Sequence, residues 1–153
     1  MNSILETRIA ILREAESFLG VKYAHQHRSK DAVDCVGLVI CVGLQTGLIA
    51  AEEADPKWDK FRNYGYIPNP KMMVQFLSEL LFRLPNNDYS CGDIIWLRDH
   101  GHPRHLVIAT GPRSGIHAFR KSGKVELIQL NAHTDVFVRA CFRYRGLQEL
   151  ING

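Results

Sequence analysis

Val33-Asp34-Cys35-Val36-Gly37-Leu38-Val39-Ile40 is the stretch from which the rest of the chain can be interpreted. A polar loop gives way here to an uncharged run that continues to residue 44. If this run is a helix, as its length indicates, Asp34 is its natural N-cap and Cys35 lies in its first turn. The positive end of a helix dipole favours a thiolate, so the sequence predicts a nucleophile at Cys35. The alternative is a buried structural cysteine at the edge of a core helix.

The composition is that of an ordinary globular protein. The 153 residues include 19 basic and 16 acidic side chains, and we expect residues 1–153 to form a single domain with a full core. The net charge of +3 is mild, and the scattered basic residues do not indicate nucleic-acid binding. The cysteines form no C-x-x-C pair, which argues against a disulfide scaffold or a thiolate zinc site and favours synthesis in a reducing compartment.

The first eighteen residues carry charges throughout, at Glu6, Arg8, Arg13, Glu14 and Glu16. This pattern is neither that of a signal peptide nor that of a membrane span. We therefore expect synthesis in the cytoplasm without a signal peptide and no insertion into a membrane. If the protein acts outside the cell, a route other than a cleavable signal takes it there.

Helices are predicted in the first half of the chain. Ser3 and Glu6 form a capping-box pattern ahead of an apolar stripe that ends near Gly20. A buried helix is predicted over residues 33–46, and Met and Leu residues at helical spacing predict another over residues 71–82. The intervening residues 51–70 contain Asp55-Pro56 and several aromatic residues, a pattern that we interpret as an ordered loop.

From Cys91 onward the apolar period changes to that of short strands. Strands are predicted over residues 92–97, 105–109, 115–119, 124–130 and 137–144, with glycine-containing turns after the first three. Helices followed by a run of antiparallel strands indicate an α+β fold, with N-terminal helices packed on a central antiparallel sheet.

Two histidines stand out in these apolar strands. His105 opens His105-Leu106-Val107-Ile108-Ala109, and His117 lies inside Gly115-Ile116-His117-Ala118-Phe119. A thiol nucleophile needs a base, and the base needs an orienting group on its other ring nitrogen. A hairpin centred on Gly111 would place residues 105 and 117 directly opposite each other, whereas a centre two residues later would separate them by roughly 13 Å. The sequence leaves both registers open.

A metal site is the alternative for one of these histidines. His100, His102 and His105 are close in sequence, and imidazole is a good zinc ligand. Asp99 is the nearest carboxylate, and Gly101 and Pro103 interrupt the histidines, so the spacing fits a zinc site poorly.

The ordered set of motifs resembles the NlpC-type cysteine peptidases, which are papain-like cell-wall hydrolases of bacteria and phages. The matching pieces span about residues 5–146 and are Tyr23, Asp34-Cys35-Val36-Gly37-Leu38, Gly92-Asp93-Ile94, the segment 105–111, and Ile116-His117-Ala118. The compact length and the closing Ala140-Cys141-Phe142-Arg143 look like the phage tail-associated branch. The resemblance implies a papain-like fold with helices on a central antiparallel sheet or partial barrel.

The resemblance also implies a role for each matching residue. Cys35 falls on the nucleophile, His105 on the general base and His117 on the polar residue that orients the base. Tyr23 falls on a tyrosine whose hydroxyl helps to hold the substrate carbonyl or oxyanion, and Asp34 on an aspartate near the amino end of the stem peptide. No metal or other cofactor is implied.

The implied activity is hydrolysis of an amide bond in the peptidoglycan stem peptide, typically between γ-D-glutamate and the diamino acid. The implied partners are peptidoglycan and, for the tail-associated branch, phage tail proteins, with the cell wall as the place of action. The sequence departs from the family at Val36, where serine is common. Two alternatives follow: an amidase or acyltransferase on the same fold, and a non-catalytic tail-tip structural module.

Overall fold

The helices form where the apolar periodicity and the caps require them. The computed structural model describes residues 3–61, 69–99 and 102–153, with the backbone alone at residues 99, 102–104, 132 and 133. Ser3 and Glu6 close the predicted capping box, and Asn69 caps the helix that starts at Pro70. The helices are α1 (Ile4–Glu16), α2 (Cys35–Gln45), α3 (Ala51–Phe61), α4 (Pro70–Leu80), α5 (Ala132–Asp135) and α6 (Arg145–Asn152).

The strands form one curled, half-barrel sheet. Its strands are β1 (Lys22–Tyr23), β2 (Ala32–Val33), β3 (Phe82–Arg83), β4 (Ile94–Asp99), β5 (His102–Gly111), β6 (Ser114–Phe119), β7 (Lys124–Gln129) and β8 (Val138–Arg143). In the described part of the chain they are ordered β2-β1-β7-β6-β5-β4-β8-β3, with only β1 and β2 parallel. The predicted α+β class and the predicted antiparallel sheet are confirmed.

Both faces of the sheet are buried, which explains why the strands are so apolar. Alternate residues such as Ile94, Leu106 and Ile116 pack with the helices in a large core, while Ile95 and Val107 belong to a second cluster on the opposite face. Because successive side chains of a strand point to opposite faces, one strand supplies both clusters. Helix α2 is buried along most of its length and packs between α1 and strands β5 and β6.

The predicted loop over residues 51–70 is wrong for its first part. Residues 51–61 form α3, and its buried side chains are Ala54, Trp58 and Phe61. Pro56 lies inside this helix, and a proline there removes a backbone donor. Burial of the two aromatic residues at helical spacing outweighs that loss. Of the remainder, residues 62–68 lie outside the described residues, while Asn69 is the N-cap of α4 and Pro70 its first residue.

No described helix combines the length and the apolar character that crossing a bilayer demands.

Candidate active site

Cys35 is the first residue of α2, as the capping pattern predicted. Asp34 is the N-cap, and its Oδ1 accepts the Gly37 N–H at 2.7 Å while its Oδ2 accepts the Gln26 N–H at 2.8 Å. The carboxylate is 2% exposed. A Cβ at Gly37 would overlap the carbonyl oxygen of His27, so glycine is needed where the helix touches this loop. The cap and the close approach fix the position of Cys35 at the helix mouth.

The sulfur of Cys35 lies against β5. It is partly buried, and the backbone N–H of Leu106, the residue after His105, hydrogen-bonds to it. Burial, together with the negative charge of Asp34, raises the pKa of Cys35 to about 12, against the opposing effect of the amides of Leu106, Val36 and Cys35. These surroundings favour the neutral thiol over the thiolate.

Burial and the Asp34 charge oppose the stabilisation of a thiolate that the sequence predicts from the helix dipole. The sequence identified the cap correctly, but the cap is itself an anion beside the thiol. Loss of water around the sulfur also disfavours the charged form. For Cys35 to act as a nucleophile, a base would have to remove its proton.

The side chains of His105 and His117 come together in the structure. Nε2 of His105 and Nδ1 of His117 are 2.6 Å apart, and the two rings meet edge to face with centroids separated by 4.9 Å. His117 is buried, with 4% of its surface exposed, whereas His105 is only partly buried. A short hydrogen bond between the imidazoles links the candidate base to the candidate orienting group.

The register that produces this contact lies between the two that the sequence left open. Ile108 pairs with Ile116, and the turn between β5 and β6 is Pro112-Arg113, with a register shift after Ala109. Continuing the pairing places residue 105 opposite Phe119, so His117 is the diagonal neighbour of His105. The His105 and Phe119 ring centroids are 5.9 Å apart, in agreement with this placement.

A further charged residue, Glu126 on β7, lies behind His117. It is the cross-strand partner of His117, and its Oε1 is 3.5 Å from His117 Nε2. Burial lowers the pKa of His117, and the charge and hydrogen bond of Glu126 oppose that shift. This residue was not predicted from the sequence, although the Ser122-Gly123 turn indicates that β6 and β7 pair.

Tyr23 is held next to the helix mouth through the short strands. It pairs with Val33, two residues before Cys35, and its backbone N–H donates to Gly123 at 2.8 Å. The partly buried side chains of Tyr23 and Cys35 both pack against the large core. The predicted contact of the Tyr23 hydroxyl with an oxyanion stays a prediction, as does a contact of Asp34 with substrate.

Comparison with solved structures brings out one fold. An NlpC/P60 family protein from Bacillus cereus matches with a TM-score of 0.61 and 20% identity, over 90% of this chain and 40% of that chain. The NlpC/p60 domain of the peptidoglycan hydrolase SagA matches with a TM-score of 0.57 and 18% identity, over 88% and 97%. The peptidoglycan hydrolase RipB from Mycobacterium tuberculosis matches at 0.59 and 17%, over 92% and 66%.

The chain has the NlpC/P60 fold. No protein-family profile and no curated protein matches the sequence, so the similarity lies in the structure. The chain spans less than half of the length of the Bacillus cereus protein. The assignment of residues 1–153 to one catalytic domain stays a prediction.

The alternative zinc site at residues 100, 102 and 105 is not seen among the described side chains. The side chains of residues 100 and 102 lie outside the described ones, and the described side chains hold no group of three His, Cys, Asp or Glu that could bind a metal ion. His105 instead contacts His117. The zinc alternative therefore gains no support from the described residues.

The thiol state of Cys35 predicts how fast it is alkylated. The pKa of Cys35 is about 12. At any pH below this value, the thiolate fraction rises about tenfold when the pH increases by one unit. We expect the rate of iodoacetamide labelling at Cys35, measured by peptide mass spectrometry, to keep rising from pH 7 to pH 9.5. The urea-unfolded protein is the control, since the labelling rate of its thiols should level off above the ordinary cysteine pKa. A rate that plateaus below pH 8 in the native protein would show a thiolate–imidazolium pair instead.

Proposed function

We propose that this protein is a cell-wall cysteine endopeptidase that hydrolyses the γ-D-glutamyl–diamino acid bond of the peptidoglycan stem peptide. One arrangement supports the proposal: a thiol at the mouth of α2 lies against β5, and His105 of β5 is joined to His117 of β6 by a 2.6 Å contact. A nucleophile, a base and an orienting group are the parts that acyl transfer needs. SagA and RipB, whose structures match this one, are peptidoglycan hydrolases.

The proposed reaction begins with proton transfer from the Cys35 thiol to His105. The sulfur then attacks the amide carbonyl carbon, and the backbone N–H of Cys35 and the Tyr23 hydroxyl stabilise the developing oxyanion. Collapse of the tetrahedral intermediate breaks the C–N bond, and His105 gives its proton to the leaving amine. His105 then takes a proton from water, which attacks the thioester and releases the carboxylic acid and the thiol.

Val36 has less influence on substrate choice than its place in the motif indicates. Its side chain is 1% exposed and belongs to the large core, so it offers no surface to a peptide. The alternative of an amidase or acyltransferase thus loses the feature that raised it.

The proposal is tested on a synthetic L-Ala-γ-D-Glu-diamino acid peptide and on purified peptidoglycan. We expect mass spectrometry to show the L-Ala-D-Glu dipeptide with the wild-type protein, and at least about 1,000-fold slower release with Cys35→Ala, because the nucleophile is lost. Cys41→Ala is the matched control, since Cys41 lies on the same helix. Products cut at another bond would favour an amidase, and a wild-type protein without activity would favour the non-catalytic module.

The place of action belongs to the same proposal. A stem-peptide hydrolase made in the cytoplasm must reach the wall, and we propose the cell wall as its site of action. The names of the matching hydrolases do not support the phage tail-associated branch, and that association stays a prediction from the sequence.

A further inference from the structure

We propose that Glu126 is a positioning residue that selects the productive tautomer of His117 and, through it, that of His105. The inference deepens the proposed function and rests on it for its catalytic consequence. The tautomer itself is a property of the folded protein and can be measured without turnover.

The surroundings of His117 fix the direction of both ring nitrogens. Phe119 stacks on the ring with centroids 4.9 Å apart and planes 12° apart, so the ring plane is held. Nδ1 then faces His105 Nε2 at 2.6 Å, and Nε2 faces Glu126 Oε1 at 3.5 Å. Glu126 comes from the neighbouring strand in direct register, and its side chain is 31% exposed. The carboxylate therefore meets the buried imidazole from the solvent side.

The proton positions follow from what each atom can do. An ionised carboxylate only accepts hydrogen bonds, so it favours a proton on His117 Nε2. Nδ1 of the same neutral ring is then an acceptor and receives the Nε2–H of His105. His105 consequently keeps a lone pair on Nδ1, which is the state that a base for the Cys35 thiol needs. The opposite tautomer of His117 would reverse the whole chain and leave His105 Nδ1 protonated.

The titratable groups around His117 are few among the described side chains. His105 faces it from β5, Glu126 faces it from β7, and Lys124 lies two residues along β7 on the Glu126 face. Cys35 of α2 lies beyond, beside Leu106. Glu126 is the acceptor directed at Nε2 of His117. Removing its carboxylate should therefore let the His117 ring adopt either neutral tautomer.

The test compares Glu126→Leu with Glu126→Gln, which keeps an oxygen that can accept the Nε2–H. Glu126→Leu is expected to lower kcat on the synthetic peptide about tenfold with KM within about twofold, because the orienting group acts on the base rather than on the substrate. Glu126→Gln is expected to keep most of kcat. Gln129→Leu is the control, since it removes another exposed polar side chain from the same strand.

The second measurement is the ¹⁵N spectrum of the His117 ring, which shows which nitrogen carries the proton. We expect Nε2–H in the wild-type protein and in Cys35→Ala, and a tautomer mixture in Glu126→Leu. A wild-type ring protonated on Nδ1, or a Glu126→Leu variant with unchanged spectrum and kcat, overturns the inference. Equal losses of kcat in the Leu and Gln variants with parallel losses of Tm also overturn it, since they show a structural role. If no peptide is cleaved, the proposed function fails while the spectra still decide on Glu126.

Discussion

Replacing His105 with alanine is expected to lower kcat/KM on the stem peptide by about 1,000-fold or more at pH 7, the loss expected for a removed catalytic base. The size of this loss follows from the protonation state of the Cys35 thiol. A group with a pKa of about 12 is ionised to about one part in 100,000 at pH 7. Without a base next to the sulfur, attack depends on that small fraction.

The same reasoning gives the variant a pH dependence that the wild type lacks. Because the thiolate fraction grows about tenfold for each pH unit, the activity of His105→Ala should recover by a similar factor per unit between pH 7 and pH 9. Initial rates by chromatography of the peptide products measure this. His27→Ala is the control and should retain activity, since the exposed His27 ring contacts the backbone oxygen of His25. A pH-independent residual rate in His105→Ala would contradict the role of base.

Helices α1, α2 and α4 and strands β4 to β8 could be predicted because each has one dominant physical cause. Buried strands need long apolar runs, and β4 to β8 lie within a few residues of the predicted positions. The two-residue strands β1 to β3 and helices α3, α5 and α6 were not predicted. Of these, α3 was hidden by Pro56, although Ala54, Trp58 and Phe61 have helical spacing. The Asp55-Pro56 turn signal predicts a loop, whereas burial of the aromatic side chains at helical spacing stabilises a helix.

The candidate site shows where sequence reasoning stops. The residues Cys35, His105 and His117 could be chosen because each chemistry needs a particular side chain. The register of β5 and β6 could not, since a shift after Ala109 moves the pairing. The protonation state of Cys35 could not be predicted from the sequence either, because the burial of its sulfur and its distance from the Asp34 carboxylate depend on packing.

The Gly92-Asp93 motif has a structural role that the sequence did not reveal. Asp93 is fully buried, and Arg143 donates to its carboxylate through Nε at 2.9 Å and Nη2 at 2.8 Å. Arg8 of α1 lies 3.5 Å from the same carboxylate and donates to the Cys91 carbonyl at 2.6 Å. This buried group connects the start of β4, the end of β8 and α1. Its hydrogen bond to Asp93 raises the pKa of Arg143, so the guanidinium stays charged.

Asp93→Ala is therefore expected to lower the free energy of unfolding by about 3 to 5 kcal/mol, since removing one partner leaves a buried charge without compensation. In urea this corresponds to a midpoint lower by about 2 M for a protein of this size. Asp93→Asn keeps the shape and part of the hydrogen bonding, so its loss should be smaller. The matched control is Asp135→Ala, because Arg113 and Asp135 form an Arg–Asp pair at the surface with side chains 57% and 46% exposed. Exposed pairs contribute little, so that midpoint should not move. Equal shifts in the two alanine variants would show that burial of the Asp93 pair has no special weight.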